Sequence, residues 1–265
     1  MNPCHVSVSL ALLTCSLALA NAARAGDDPR QLIDRVFKRT SWKDMHGKVR
    51  LELKNKRGDT KVREIAMWSL KNAKDETSML MRFVTPADVR GTGFLLIEHD
   101  TGEDDRRLFL PALRRVQRIS ASGSGGSFMS SDFTYYDIGR PKLEDWSYRF
   151  VGGKQLQGVA CKAVEGTAAN DEVMEDTGYS RVIWYVDASR LVIVGAEYFD
   201  KTGMKLKKLD VLEIEEISGT PFATHMRVRD VNTGHQSDMR FSDLETNRGL
   251  NDKLFTERNL RRWRR

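Results

Sequence analysis

Four histidines lie beyond residue 25, at His46, His99, His225 and His235. None has a partner at the spacing that sets two imidazoles on one helix face, so the H-x-x-x-H pattern of zinc hydrolases is missing. His99 sits among Glu98, Asp100, Glu103, Asp104 and Asp105, oxygen ligands of the kind a hard cation takes. Their spacing is not that of a calcium loop, and a hairpin tip also collects acids simply because they are solvated there. The run GSGG from Gly123 to Gly126 lacks the Gly-Lys-Ser/Thr ending of a phosphate cradle and the G-x-S-x-G of a hydrolase elbow. With Ser120 to Ser122 it reads as a flexible loop, because glycine and serine leave the backbone free. Asp132 and Asp137 flank Tyr135 and Tyr136 without a spacing that marks an acid and a base. Cys161 has no second cysteine or histidine near it in sequence and reads as a small buried apolar residue. The chain is therefore not expected to be an enzyme, and no cofactor or metal is expected.

Residues suited to binding are easier to find. Met79, Met81 and Phe83 alternate along one strand-like segment, and Phe94 and Leu96 along another. Phe128, Phe133 and Tyr135 lie in an aromatic-rich stretch after the Gly/Ser loop. Flexible thioethers and aromatic rings suit the wall of an irregular apolar cavity. Alternating apolar residues are equally the mark of ordinary core.

The elements that must position these residues follow from periodicity. Pro29 to Trp42 predicts an amphipathic helix, with Asp28 as N-cap and Leu32, Ile33, Val36 and Phe37 on one side. From Gly47 the period changes to two, and Val49, Leu51 and Leu53 alternate with charged residues. Strand patterns separated by turn residues recur to about Leu244, with an acidic loop at 170–178 and a possible helix entry at 130–132. This even spacing, without a βαβ rhythm, predicts a mainly β protein whose antiparallel sheet of about eleven curved strands curls into a barrel.

Of the 265 residues, 30% are charged, and the formal net charge is +6. Both signs are interspersed, which argues against a nucleic-acid binder. Val6 to Ala20 is apolar and precedes Ala23-Arg24-Ala25, so residues 1–25 are expected to be a signal peptide cleaved after Ala25. An uncleaved anchor is the alternative, although the apolar run is short for a membrane span. Residues 26–265 are then expected to form one domain in the periplasm. Arginines gather at Arg114, Arg115 and Arg118, and again at Arg261 and Arg262 before the terminal WRR. Such clusters are either solvated faces or docking sites for acidic lipid head groups or an acidic partner.

The run PADVRGTGF from Pro86 to Phe94, LPALRRVQRI from Leu110 to Ile119, and SDFTYYD from Ser131 to Asp137 together resemble the outer-membrane lipoprotein-sorting-like proteins of the LolA/LolB-like periplasmic carrier superfamily. The closing LFTERNL from Leu254 to Leu260 is similar as well. The resemblance spans nearly all of residues 30–260. It implies a half-open antiparallel β-barrel covered by an N-terminal helix and short lid helices. Lipid, or the acyl chains of a lipoprotein, would lie between sheet and lid for transfer between inner and outer membrane. It further implies an exported protein with transient membrane-surface contact, of a kind found beside inner-membrane lipid-exporting transporters. A non-carrying accessory subunit that docks to such a transporter is the alternative. Under this resemblance Met79, Met81, Phe83, Phe94, Leu96, Phe128, Phe133 and Tyr135 would line the cavity. Arg114, Arg115, Arg118, Arg261 and Arg262 would dock to membrane or partner.

Overall fold

The computed structural model describes residues 28–74 and 76–262. The expected signal peptide, with Cys4 and Cys15, and the terminal Trp263, Arg264 and Arg265 lie outside these residues. The first half of the chain is an antiparallel meander of β1 (Asp44–Lys54), β2 (Thr60–Lys71), β3 (Thr77–Thr85), β4 (Gly93–Ile97), β5 (Asp105–Leu110) and β6 (Arg115–Ile119). The second half is another meander: β7 (Trp146–Leu156), β8 (Val159–Ala168), β9 (Arg181–Asp187), β10 (Val192–Phe199), β11 (Lys205–Ile217), β12 (Thr220–Asp230) and β13 (Gln236–Thr246). Strand β13 pairs with β1 and joins the halves into one sheet. The sheet has thirteen strands rather than about eleven, the short β4, β5 and β6 each pairing in register with a neighbour.

Strands β6 and β7 are the two edges, so the sheet stays open, as a half-open barrel. This order has a direct consequence for the chain between them. Residues 120–145 leave one edge of the sheet and must reach the opposite edge, so they cross its concave face. The covering of that face is thus a product of strand order. Curvature comes from register shifts in several strand pairs, including His46/Lys48, Glu64/Ile65 and Val211/Glu213. At the first of these glycine makes room for the neighbouring backbone, because a Cβ on Gly47 would lie 2.9 Å from the Ser242 carbonyl oxygen.

Alternation orients each strand. In β1, Val49, Leu51 and Leu53 are buried, while Arg50 faces outward and ion-pairs with Glu64 at 2.9 Å. Strand β3 breaks the pattern, with Leu80, Met81, Arg82 and Phe83 all buried. Both of its faces are covered. Leu80 and Leu95 on the convex side pack under Phe255 and Leu260, the latter on α4 (Glu257–Arg261). The LFTERNL run is therefore a clasp on the outer face.

Helix α1 (Pro29–Lys38) begins as predicted, with Asp28 Oδ1 accepting the Arg30 N–H at 3.0 Å. It stops four residues before Trp42, whose ring instead packs edge-on to Phe222. The acidic loop holds a helix, α3 (Asp171–Thr177). Asn170 caps it, Asp171 and Glu172 suit its N-terminal dipole, and Gly178 closes it at φ 81°. The expected helix entry at 130–132 falls later, at α2 (Tyr135–Ile138), where Thr134 and Asp137 form a capping box. The Gly/Ser loop is held in place. Ser124 is buried and donates to the Asp176 carbonyl at 2.7 Å, and a Cβ on Gly125 would lie 3.0 Å from the Thr177 carbonyl oxygen. Here glycine permits close approach of two backbones.

Candidate functional site

Between the concave face, helix α1 and the crossing segment lies a hollow of about 330 Å³. Both halves of the sheet wall it: Met67, Met79 and Met81 from one, and Leu209, Met226, Val228, Met239 and Phe241 from the other. Val36 and Phe37 close it from α1, and Phe133 and Ile138 from the crossing segment. Among the described residues, polar side chains enter the wall only at Arg39, Ser69, Asp137 and Tyr198. Burial raises the Tyr198 phenol well above its ordinary value, so it stays protonated.

The SDFTYYD run is the piece of chain that caps this hollow, and nearly every residue in it has a contact that explains its type. Ser131 Oγ donates to the Phe128 carbonyl at 2.6 Å. The Asp132 carboxylate accepts from Ser237 Oγ at 2.6 Å and faces His235 Nδ1 at 2.7 Å. Phe133 enters the hollow, and Thr134 caps α2. Asp137 is bound by Lys207 Nζ at 2.6 Å and by the Tyr179 hydroxyl at 3.0 Å. Lys207 also donates to the Asp132 carbonyl at 2.7 Å and lies over the Tyr179 and Tyr198 rings. Arg63 donates to the carbonyl of Met129, which sits in a left-handed turn at φ 50°. The two aspartates are thus structural anchors that fasten the crossing segment to strands β11 and β13.

Of the residues predicted to line a cavity, Met79, Met81 and Phe133 lie in the wall of this hollow. Phe83, Phe94 and Phe128 do not, and are fully buried together. Phe94 meets Phe128 at 5.3 Å between centroids, and Tyr135 packs against both at 5.6 Å, edge-on to Phe128 and tilted to Phe94. These four rings plug the space beside the hollow instead of opening onto it. Leu96 is likewise buried in the packed core, close beneath Gly139.

The other half of the wall was not singled out from sequence. Leu209, Val211, Met226, Val228, Met239 and Phe241 carry the same alternation as Met79 and Met81, so a period-two signal was there to find. What sequence lacks is the pairing of β13 with β1 that sets the two patterns face to face.

Of the basic residues, Arg114 and Arg115 are exposed at the tip of the β5–β6 hairpin, where Arg114 takes a left-handed conformation at φ 47°. Arg118 lies 3.4 Å from Glu103, Arg261 pairs with Glu257 at 2.6 Å, and Arg262 is exposed after α4. The PADVRGTGF turn packs against this hairpin, for a Cβ on Gly91 would lie 3.3 Å from Pro111 Cγ. Beside His99, Asp104 is engaged: it binds Arg106 at 2.7 Å and Lys142 at 3.1 Å. Cys161 is buried, in a small apolar cluster with Ala163, Tyr185, Val192 and Val194.

A family model described as "Uncharacterized protein" matches residues 75–262, well over half of the chain. No curated protein matches in sequence. Among solved structures, the chain is similar to an outer membrane lipoprotein-sorting protein domain from Vibrio parahaemolyticus. Identity is 27% and the TM-score 0.82, over 88% of this chain and 98% of that one. It is similar to a DUF1329 family protein from Desulfovibrio piger, at 29% identity and TM-score 0.81, over 88% and 99% of the two chains. A LolA superfamily protein from Nitrosomonas europaea shares the fold at 19% identity and TM-score 0.68, over 87% and 98%. The chain belongs to the family whose model covers residues 75–262, and its open thirteen-stranded sheet with a capped apolar hollow is the fold it shares with the lipoprotein-sorting domain and the DUF1329 protein.

Proposed function

We propose that this protein is a periplasmic carrier that shelters a lipid, or the acyl chains of a lipoprotein, in its hollow for transfer between inner and outer membrane. It acts by binding rather than by catalysis. One observation carries the reading: a cavity of about 330 Å³ with an almost wholly apolar wall, rich in methionine, beneath a fastened cover. Its size lies within the range of about 300–1,000 Å³ typical of small-ligand sites. Methionine adapts to an irregular chain, since its side chain is unbranched and polarisable. Each methylene taken from water contributes about 0.8 kcal/mol, so ten sheltered methylenes would contribute about 8 kcal/mol before ordering costs. Protein purified from the periplasm and extracted with organic solvent should release lipid in near-stoichiometric amount by mass spectrometry. Protein that is empty by this measure, and that takes up no fatty-acid probe, would remove the carrier reading.

A second reading, an accessory subunit docked to an inner-membrane transporter or to the membrane surface, draws support from the β5–β6 hairpin. Leu113 there is 66% exposed and is followed by the exposed Arg114 and Arg115. An apolar tip ringed by arginines suits an anionic membrane interface or an acidic partner. Leu113→Asp should leave the fold and lipid uptake unchanged while lowering co-sedimentation with anionic vesicles about fivefold, with repulsion replacing the apolar contact. Unaltered sedimentation would clear the hairpin of any role at membranes.

A further inference from the structure

We infer that the mouth of the hollow is a head-group site, which reads an anionic group of the bound amphiphile through Arg39, Lys43, Lys71 and Arg140. This rests on the carrier reading and names the polar end of its cargo. The hollow continues into a second cavity of about 350 Å³, and the two share Phe37, Arg39, Met45, Met79 and Phe222 in their walls. Outward from there the lining changes to Thr40, Lys43, Lys71, Thr77, Glu98 and Arg140. An amphiphile whose tail fills the hollow must therefore place its head among these residues. Among the described residues four cations and one carboxylate line that space, so their charge favours an anion.

Arg39 carries most of the argument. It lies in the wall of both cavities, at the junction of apolar hollow and polar mouth. Its Nε donates to the Pro221 carbonyl at 3.1 Å and its Nη1 to the Val36 carbonyl at 2.9 Å. No carboxylate among the described residues lies within ion-pair distance of it, so a partly buried guanidinium is met only by neutral oxygens. Burial accordingly pushes it below its ordinary value. A guanidinium has five N–H donors, and two are engaged by these carbonyls. The two bonds hold the group in place before a ligand arrives, so little side-chain freedom is lost on binding. A phosphate or carboxylate oxygen in the mouth would supply the missing counter-charge through strong charge-assisted hydrogen bonds.

The surrounding groups extend the site. Lys43 is exposed at the rim, and Lys71 Nζ lies 3.4 Å from the Thr40 carbonyl on the facing segment. Glu98 is 7% exposed. One of its oxygens accepts the Arg140 backbone N–H at 2.7 Å, and the other is buried without a hydrogen-bond partner, 4.0 Å from Arg140 Nε. That oxygen can take a hydroxyl of the head group, so an anion carrying a glycerol fits the mouth better than a bare one.

The test uses three lipids with identical acyl chains, delivered from vesicles: phosphatidylglycerol, phosphatidylcholine and diacylglycerol. The full-length protein should bind phosphatidylglycerol about tenfold more tightly than diacylglycerol, as expected for added charge-assisted hydrogen bonds. Arg39→Gln should abolish this preference, so that the variant binds phosphatidylglycerol no more tightly than diacylglycerol. Lys43→Glu, at an exposed position that carries no core packing, should lower phosphatidylglycerol binding severalfold and serves if the first variant fails to fold. Millimolar inorganic phosphate should displace the lipid only weakly; phosphate binding as tightly as the lipid would overturn the head-group assignment in favour of a free-anion site. Equal uptake of the three lipids, or an intact preference in both variants, overturns the head-group site and leaves the carrier standing. Uptake of none of the three overturns both.

Discussion

Met79→Glu is expected to lower lipid capture about a hundredfold while leaving the protein folded. Met79 stands in the wall of both the hollow and its mouth, and is only partly buried. In the empty protein the new carboxylate can keep water around it, so the fold need not bear its desolvation. Once an acyl chain enters, that water must leave and the charge is stranded against methylenes. Phe94→Glu should behave in the opposite order. Phe94 is fully buried against Phe128 and Tyr135, so its substitution should unfold the protein before any effect on binding can be read. Displacement of a fluorescent fatty-acid probe, with a thermal melt of each variant, separates the two effects. Full probe binding by a folded Met79→Glu protein would show that the hollow is not where the chain lies.

Lys207→Met should cost about 3–5 kcal/mol of stability, the usual consequence of breaking a buried ion pair by removing one partner. Lys207 is 3% exposed and sits between the Asp137 carboxylate and the Asp132 carbonyl, over the rings of Tyr179 and Tyr198. Removing its charge leaves Asp137 buried with only hydrogen bonds, from Tyr179 and from the Thr134 N–H at 2.7 Å. The double variant Lys207→Met/Asp137→Asn should recover most of the loss, because no charge then remains unpaired in the core. Urea unfolding of the two variants measures both quantities. A loss below about 1 kcal/mol in the single variant would mean that the crossing segment is held by its aromatic plug and not by this anchor. The same pair connects stability to function, since Asp137 lies in the wall of the hollow and its fastening keeps the cover over the cavity.

Much of the framework was legible because its signals are local. Helix α1 was marked by Asp28, Pro29 and the spacing of Leu32, Ile33 and Val36. The strands declared themselves by alternation, as at Val49, Leu51 and Leu53. Where local signals mislead, contacts far along the chain are the reason. Glycines at 123–126 read as looseness, yet Gly125 is glycine so that its backbone can lie against Thr177. Acids at 170–178 read as a solvated loop, but with Asn170 before them and Gly178 after them they cap and close a helix.

The amino-acid pattern by itself determined that the chain forms an antiparallel sheet with one apolar face, preceded by one amphipathic helix, because periodicity records which side of each element avoids water. It also marked SDFTYYD and the methionines of β3 as unusual. Only the tertiary structure decided which apolar residues face a void and which fill one. Met81 and Phe83 are two residues apart on the same strand and carry the same signal, yet Met81 borders the hollow while Phe83 is sealed under Phe128. The difference arises because strand order carries residues 120–145 across the concave face, where Phe128 covers one part of β3 and leaves the next uncovered. Burial depends on what lies opposite a side chain, and what lies opposite is set by pairing between strands far apart in sequence.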